Sequence, residues 1–116
     1  MAKIYVVAKG AHEYSSAETY GEVVFLYDDD RKANVFATDA LIKEIEEKLK
    51  DATADDYLIM SGSMLPSAVA FSVLLEKTGV VNNLLFSFRN SNYELRTVRA
   101  TQFAAVGEVL GSEELT

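Results

Sequence analysis

The sequence predicts a compact single α/β domain: a mixed, mainly parallel sheet with two principal helices and flanking β-hairpins. The first observation behind this is the stretch from Asp56 to Arg89. It reads as a strand (Tyr57 to Ser61), a glycine turn (Gly62-Ser63), an apolar helix ending near Gly79, and a second strand from Val80 to Phe88. Strand, helix and strand in that order make a Rossmann-like βαβ unit, whose crossover is right-handed in nearly all cases. The second observation is size and balance. With 116 residues, 49% apolar and 25% charged, the chain can bury one core and has the composition of a folded protein.

Taken in order, Ile4 to Ala8 is a nearly continuous apolar run, suited to a strand covered on both faces. Gly10 ends it. Ala11 to Gly21 is rich in hydroxyls and aromatic rings and too long for a hairpin loop, with a helical turn expected from Ser15 or Ser16. Glu22 to Tyr27 is a second strand. Asp28 to Ala33 reads as an exposed turn and Asn34 to Ala37 as a short returning strand, which predicts a β-hairpin at one edge.

Thr38 or Asp39 is then expected to cap a surface helix. Leu41, Ile45 and Leu49 form its inner stripe, and Lys43, Glu44, Glu46, Glu47, Lys48 and Lys50 its outer face. For the second helix Ser63 is the expected N-cap. Pro66 then falls in the first turn, where a missing amide hydrogen costs no intrahelical bond. The body from Ala68 to Leu75 is apolar nearly all round, so burial on more than one side is expected. Lys77 suits the negative end of the helix dipole, and Gly79 is the natural stop. Arg89 to Asn92 is a polar turn, and Tyr93 to Val98 alternates as an antiparallel strand should. Thr101 to Leu110 fits either a short helix or another strand, the domain is taken to end at residue 110, and Gly111 to Thr116 is expected to fray.

Several function classes are disfavoured by composition. There is no cysteine, which removes disulfides, thiol nucleophiles and thiolate metal sites and fits a reducing compartment. The amino terminus starts directly in a strand pattern without the features of a signal peptide, and no run approaches the roughly 20 apolar residues of a membrane span. A cytoplasmic location is therefore expected, with no membrane partner. A formal net charge of −7 argues against nonspecific nucleic-acid binding, favours solubility, and leaves a basic protein partner open.

In an open α/β sheet, ligands bind outside the carboxyl ends of the parallel strands. If the strands at Ile4, Tyr57 and Val80 run parallel, three segments meet at one edge. They bring together His12, Tyr14, Ser15, Ser61, Gly62, Ser63 and Arg89 as the expected ligand-binding residues. Unpaired amides at the start of the second helix would favour an anion there. Each part has a plainer reading: Ser61-Gly-Ser63 as a turn with a helix cap, His12 as an ordinary surface histidine, and Arg89 as the partner of a nearby carboxylate. Asp28-Asp-Asp30 lacks the spacing of a cation-binding loop and reads as a solvated turn. With one histidine and neither cysteine nor a Gly-x-Ser-x-Gly elbow, no catalytic residue, metal site or cofactor is assigned.

The fragment from His12 to Gly21, leading into a strand, resembles small uncharacterised phage α/β proteins, and no function comes with that resemblance. The sequence thus leads to a non-catalytic binder of a small anionic ligand, such as a nucleotide, at the carboxyl edge of the sheet. The alternative is a phage-encoded protein–protein interaction module without a small ligand, either a homo-oligomer or an inhibitor. The charge, the apolar second helix and the open sheet edges support that alternative.

Overall fold

The structure, a computed structural model, describes residues 1–10 and 13–103. Five strands carry the fold: β1 (Lys3–Ala8), β2 (Glu22–Tyr27), β3 (Tyr57–Ile59), β4 (Val80–Ser87) and β5 (Asn92–Arg99). The helices are α1 (Thr38–Lys48) and α2 (Met64–Thr78). The strands form one sheet in the order β2-β1-β3-β4-β5, parallel except for β5, which runs antiparallel to β4. The expected α/β domain with its βαβ unit is what forms.

Strand periodicity sorts the core into two layers. Tyr5, Val7, Leu58 and Val81 face the helices and pack with Leu41, Ile45 and Leu49 of α1 and Val69, Ala70 and Leu74 of α2. Ile4, Val6, Ile59 and Leu84 face the other way, against Tyr14, Ala17 and Tyr93. That second face is covered by the β1–β2 connection, with a short 3₁₀ turn at Ser15–Ala17. Tyr14 meets Phe25 edge-on at 5.5 Å, and Tyr20 meets Tyr57 at 5.2 Å. The aromatic residues of that long loop therefore serve first as a packing layer. The chain crosses the sheet toward β2 on one face and toward β4 on the other, as right-handed connections require.

Four expectations change. The segment from Asn34 to Ala37 is not a strand, so the hairpin predicted from β2 is absent, and among the described residues only β4–β5 forms one. The reason is local: Asn34 Oδ1 accepts the Phe36 amide at 3.2 Å, closing a turn that leaves Phe36 97% exposed. Neither Thr38 nor Asp39 caps α1. The cap position is Ala37, without a side-chain bond, and Asp39 sits in the first turn, where its charge suits the dipole. Ser63 does hold the N-cap position of α2, yet its side chain bonds elsewhere. Finally, α2 buries one face only. Pro66, Ser67, Val69, Ala70 and Leu74 are buried, while Met64, Leu65, Ala68 and Ser72 are exposed.

Gly79 ends α2 at φ 80°, as a helix stop should. Residues 100–103 are helical; the rest of the segment to Leu110, the domain end at 110 and the tail from Gly111 lie outside the described residues. Among the described residues, no helix is long and apolar enough to cross a membrane.

Candidate functional site

Connections leave β1 and β3 in opposite directions, so the crevice between their carboxyl ends is the topological switch point of the sheet. A serine bridges its base. Ser61 Oγ donates to the Ala8 carbonyl at 2.6 Å and accepts the Ala8 amide at 3.3 Å, replacing the strand pairing that ends after Ile59.

Beside it, the start of α2 already carries an anion, and that anion belongs to the chain. Asp30, in the turn after β2, accepts the Ser63 amide and the Ser63 hydroxyl, each at 2.8 Å. The Ser63 amide expected to be unpaired is thus engaged by a carboxylate from 33 residues away. Gly62 makes this approach feasible. It sits at φ 82°, and a Cβ there would lie 2.5 Å from Asp30 Oδ1 and 2.8 Å from the Ala8 Cβ. The neighbouring carboxylates behave as the sequence suggested and stay outside. Asp28 pairs with Lys32 and Asp29 with Arg31, both at 2.8 Å. Arg31, donating to Asp29 from its guanidinium and also from its backbone amide, holds that carboxyl at about 2, below the usual range.

The opening lies one strand further along. β3 stops at Ile59 whereas β4, aligned Leu58 to Asn83, continues to Ser87. At about 3.3 Å per residue, β4 therefore rises roughly 10 Å above its neighbour. The notch so formed is a groove of about 730 Å³. One wall is Ile59 to Gly62, the other is Leu84 to Phe86 with Phe88 and Tyr93, and Tyr14 closes the end. Phe86 sits edge-on to both Phe88 and Tyr93, at 5.1 and 5.2 Å. Burial, and secondarily the nearby Tyr14, raises the Tyr93 phenol above its ordinary value, so it is neutral. Among the described residues, the charged groups of the lining are Glu13 and Asp30, with no lysine or arginine.

Of the residues expected from the sequence, Tyr14, Ser61 and Gly62 line this groove. Tyr14 is largely buried, and its hydroxyl accepts the Gly10 amide at 3.3 Å. Ser15 does not line it; its hydroxyl donates to Glu13 at 3.4 Å. Ser63 faces a shallower depression shared with Phe36. Arg89 is exposed on the β4–β5 turn above the groove, outside its lining and without an ion pair among the described residues. His12 lies outside the described residues.

Sequence reasoning missed the apolar walls, Met60, Leu85, Phe86 and Phe88. The available signal was that Leu84 to Phe88 is apolar beyond the point where the preceding strand meets its turn. A second depression, lined by Met60, Gly62, Met64, Ser67 and Ala68, joins the groove through Met60 and Gly62. An exposed apolar band therefore runs from Phe88 (84% exposed) through Leu85 and Met60 to Met64 (86%).

Fold and groove together define a small α/β domain with a mixed, mostly parallel sheet and an open, aromatic-walled groove beside its switch point. Over residues 2–100 the chain matches the phage Pam3 gp32-like proteins, and it belongs to that family. No curated protein and no solved structure matches it.

Proposed function

We propose that this protein is a non-catalytic protein–protein interaction module of a phage, acting in the cytoplasm. The observation that carries this reading is the contiguous exposure of Met60, Met64, Leu85, Phe86 and Phe88 around an open groove. Large apolar side chains scattered singly are ordinary on a surface, whereas a contiguous band rimmed by polar groups marks a contact site. The test is co-purification from cells producing the phage, with wild type beside Phe88→Ser and Leu85→Ser. A partner held by wild type and lost from both stable variants is expected. Equal retention by all three would overturn the reading.

A small ligand in the same groove is the second reading, favoured by its position beside the switch point. With Asp30 on the Ser63 amide and only carboxylates among the described charged lining residues, a phosphate is poorly matched to it. Thermal shift against nucleotides and phosphorylated metabolites separates the two. The interaction reading expects no stabilisation, and a concentration-dependent rise in Tm would favour the ligand.

A further inference from the structure

We infer that the occupant of the groove is an extended segment of a basic partner protein, added as a short strand beside the upper part of β4. This rests on the interaction reading and names the chemistry of the partner.

The first ground is the backbone. A strand directs alternate amides and carbonyls to its two sides. On one side β4 is paired with β5 along its whole length, from Val80–Arg99 to Ser87–Asn92. On the other it is paired with β3 only at Asn82 and Asn83. Among the described residues, no strand lies beside the β3-facing side of β4 past Leu84, and the groove occupies that space. An incoming extended chain can make main-chain hydrogen bonds there, as in strand addition to a sheet edge.

The second ground is the pair of walls. Phe86 shares a face with Tyr93, and Leu85 points to the opposite face, paired with Glu94. A strand laid between β4 and the Met60–Gly62 segment would therefore find apolar contacts for alternate side chains on both faces. The third ground is charge. Among the described residues Glu13 and Asp30 line the groove and no basic side chain does, and the whole chain carries −7. A second copy would bring another −7, whereas lysines and arginines between apolar residues fit both the lining and the overall field.

Selection from a random decapeptide display library against the whole protein tests this. Enriched peptides are expected to alternate apolar with basic residues and to lack central prolines. They should shift the backbone amide resonances of residues 60–62 and 85–88. Glu13→Gln should weaken the selected peptides about two- to fivefold at low salt, and Phe88→Ser about tenfold or more. The inference is overturned if nothing is enriched over the Phe88→Ser protein, if acidic or helical sequences dominate, or if the shifts fall on the outer edge of β2 or β5. Light scattering separates this from the broader reading. A stable assembly of the chain through Phe88 would make the occupant a second copy, keeping the interaction surface while rejecting the basic segment.

Discussion

Two glycines with almost the same backbone angle do different work. Gly62 and Gly79 lie at φ 82° and 80°. A Cβ on Gly79 meets nothing within 4 Å, so Gly79→Ala tests the conformation alone and is expected to cost about 1 kcal/mol. At Gly62 the Asp30 carboxylate and Ala8 are in the way, so Gly62→Ala should cost about 2–3 kcal/mol. Asp30→Ala, which strips both partners from Ser63, should cost about 1–2 kcal/mol. Urea denaturation of the single and double variants checks the coupling. The penalty at Gly62 should shrink once Asp30 is truncated, and strict additivity would mean that the two do not interact. The coupling of Asp30 to Gly62 and Ser63 was not legible in the sequence, whereas Gly79 as the helix stop was. The glycine turn and the Ser63 cap position were, but a partner 33 residues away cannot be read from a linear pattern, and Asp28-Asp-Asp30 looked uniform although only its last member turns inward.

Among the elements, β4 and α2 depart most from what patterning alone conveys. Apolar content was visible in both, and in α2 it implied burial on more than one side. In α2 it produced one buried face and one exposed, because α1 and the sheet cover only part of the helix. In β4 the apolar run outlasts its neighbour β3. Phe88→Ser and Met64→Gln are therefore expected to change folding stability by less than about 0.5 kcal/mol, since little surface is withdrawn from water at either position. Chemical denaturation measures this, and a loss above about 1.5 kcal/mol would show that the band is core rather than surface. The failed strand at Asn34 teaches the complementary lesson. Val35 and Phe36 have high β propensity, yet an asparagine that closes its own turn wins when no neighbouring strand is available.

At the scale of the whole molecule, the fold class was readable because the strand runs, the amphipathic α1 and the βαβ unit all agree. What the fold does to ionisation was not. Burial raises three of the six tyrosine phenols, Tyr5, Tyr27 and Tyr93, above the ordinary value of 10, with Asp56 and Asp51 adding to Tyr5 and Glu44 to Tyr27. A phenol raised in the folded state stays neutral there while the unfolded chain ionises near 10. Its contribution to stability is thus complete below that pH and is lost as pH climbs through the folded value. Absorbance at 295 nm should show part of the tyrosine titrating late, together with unfolding, and denaturation midpoints should be level below about pH 9 and fall above 10. Six phenols titrating together near 10 without loss of structure would contradict the described packing.

The carboxylate held by Ser63 also acts as a tethered competitor. A group that the fold holds beside its site binds intramolecularly, with an effective concentration on the order of millimolar. A free phosphate or nucleotide would first have to displace a rival that cannot diffuse away. Evolving this end of the sheet into a phosphate receptor would therefore begin by removing Asp30, before any basic residue was added.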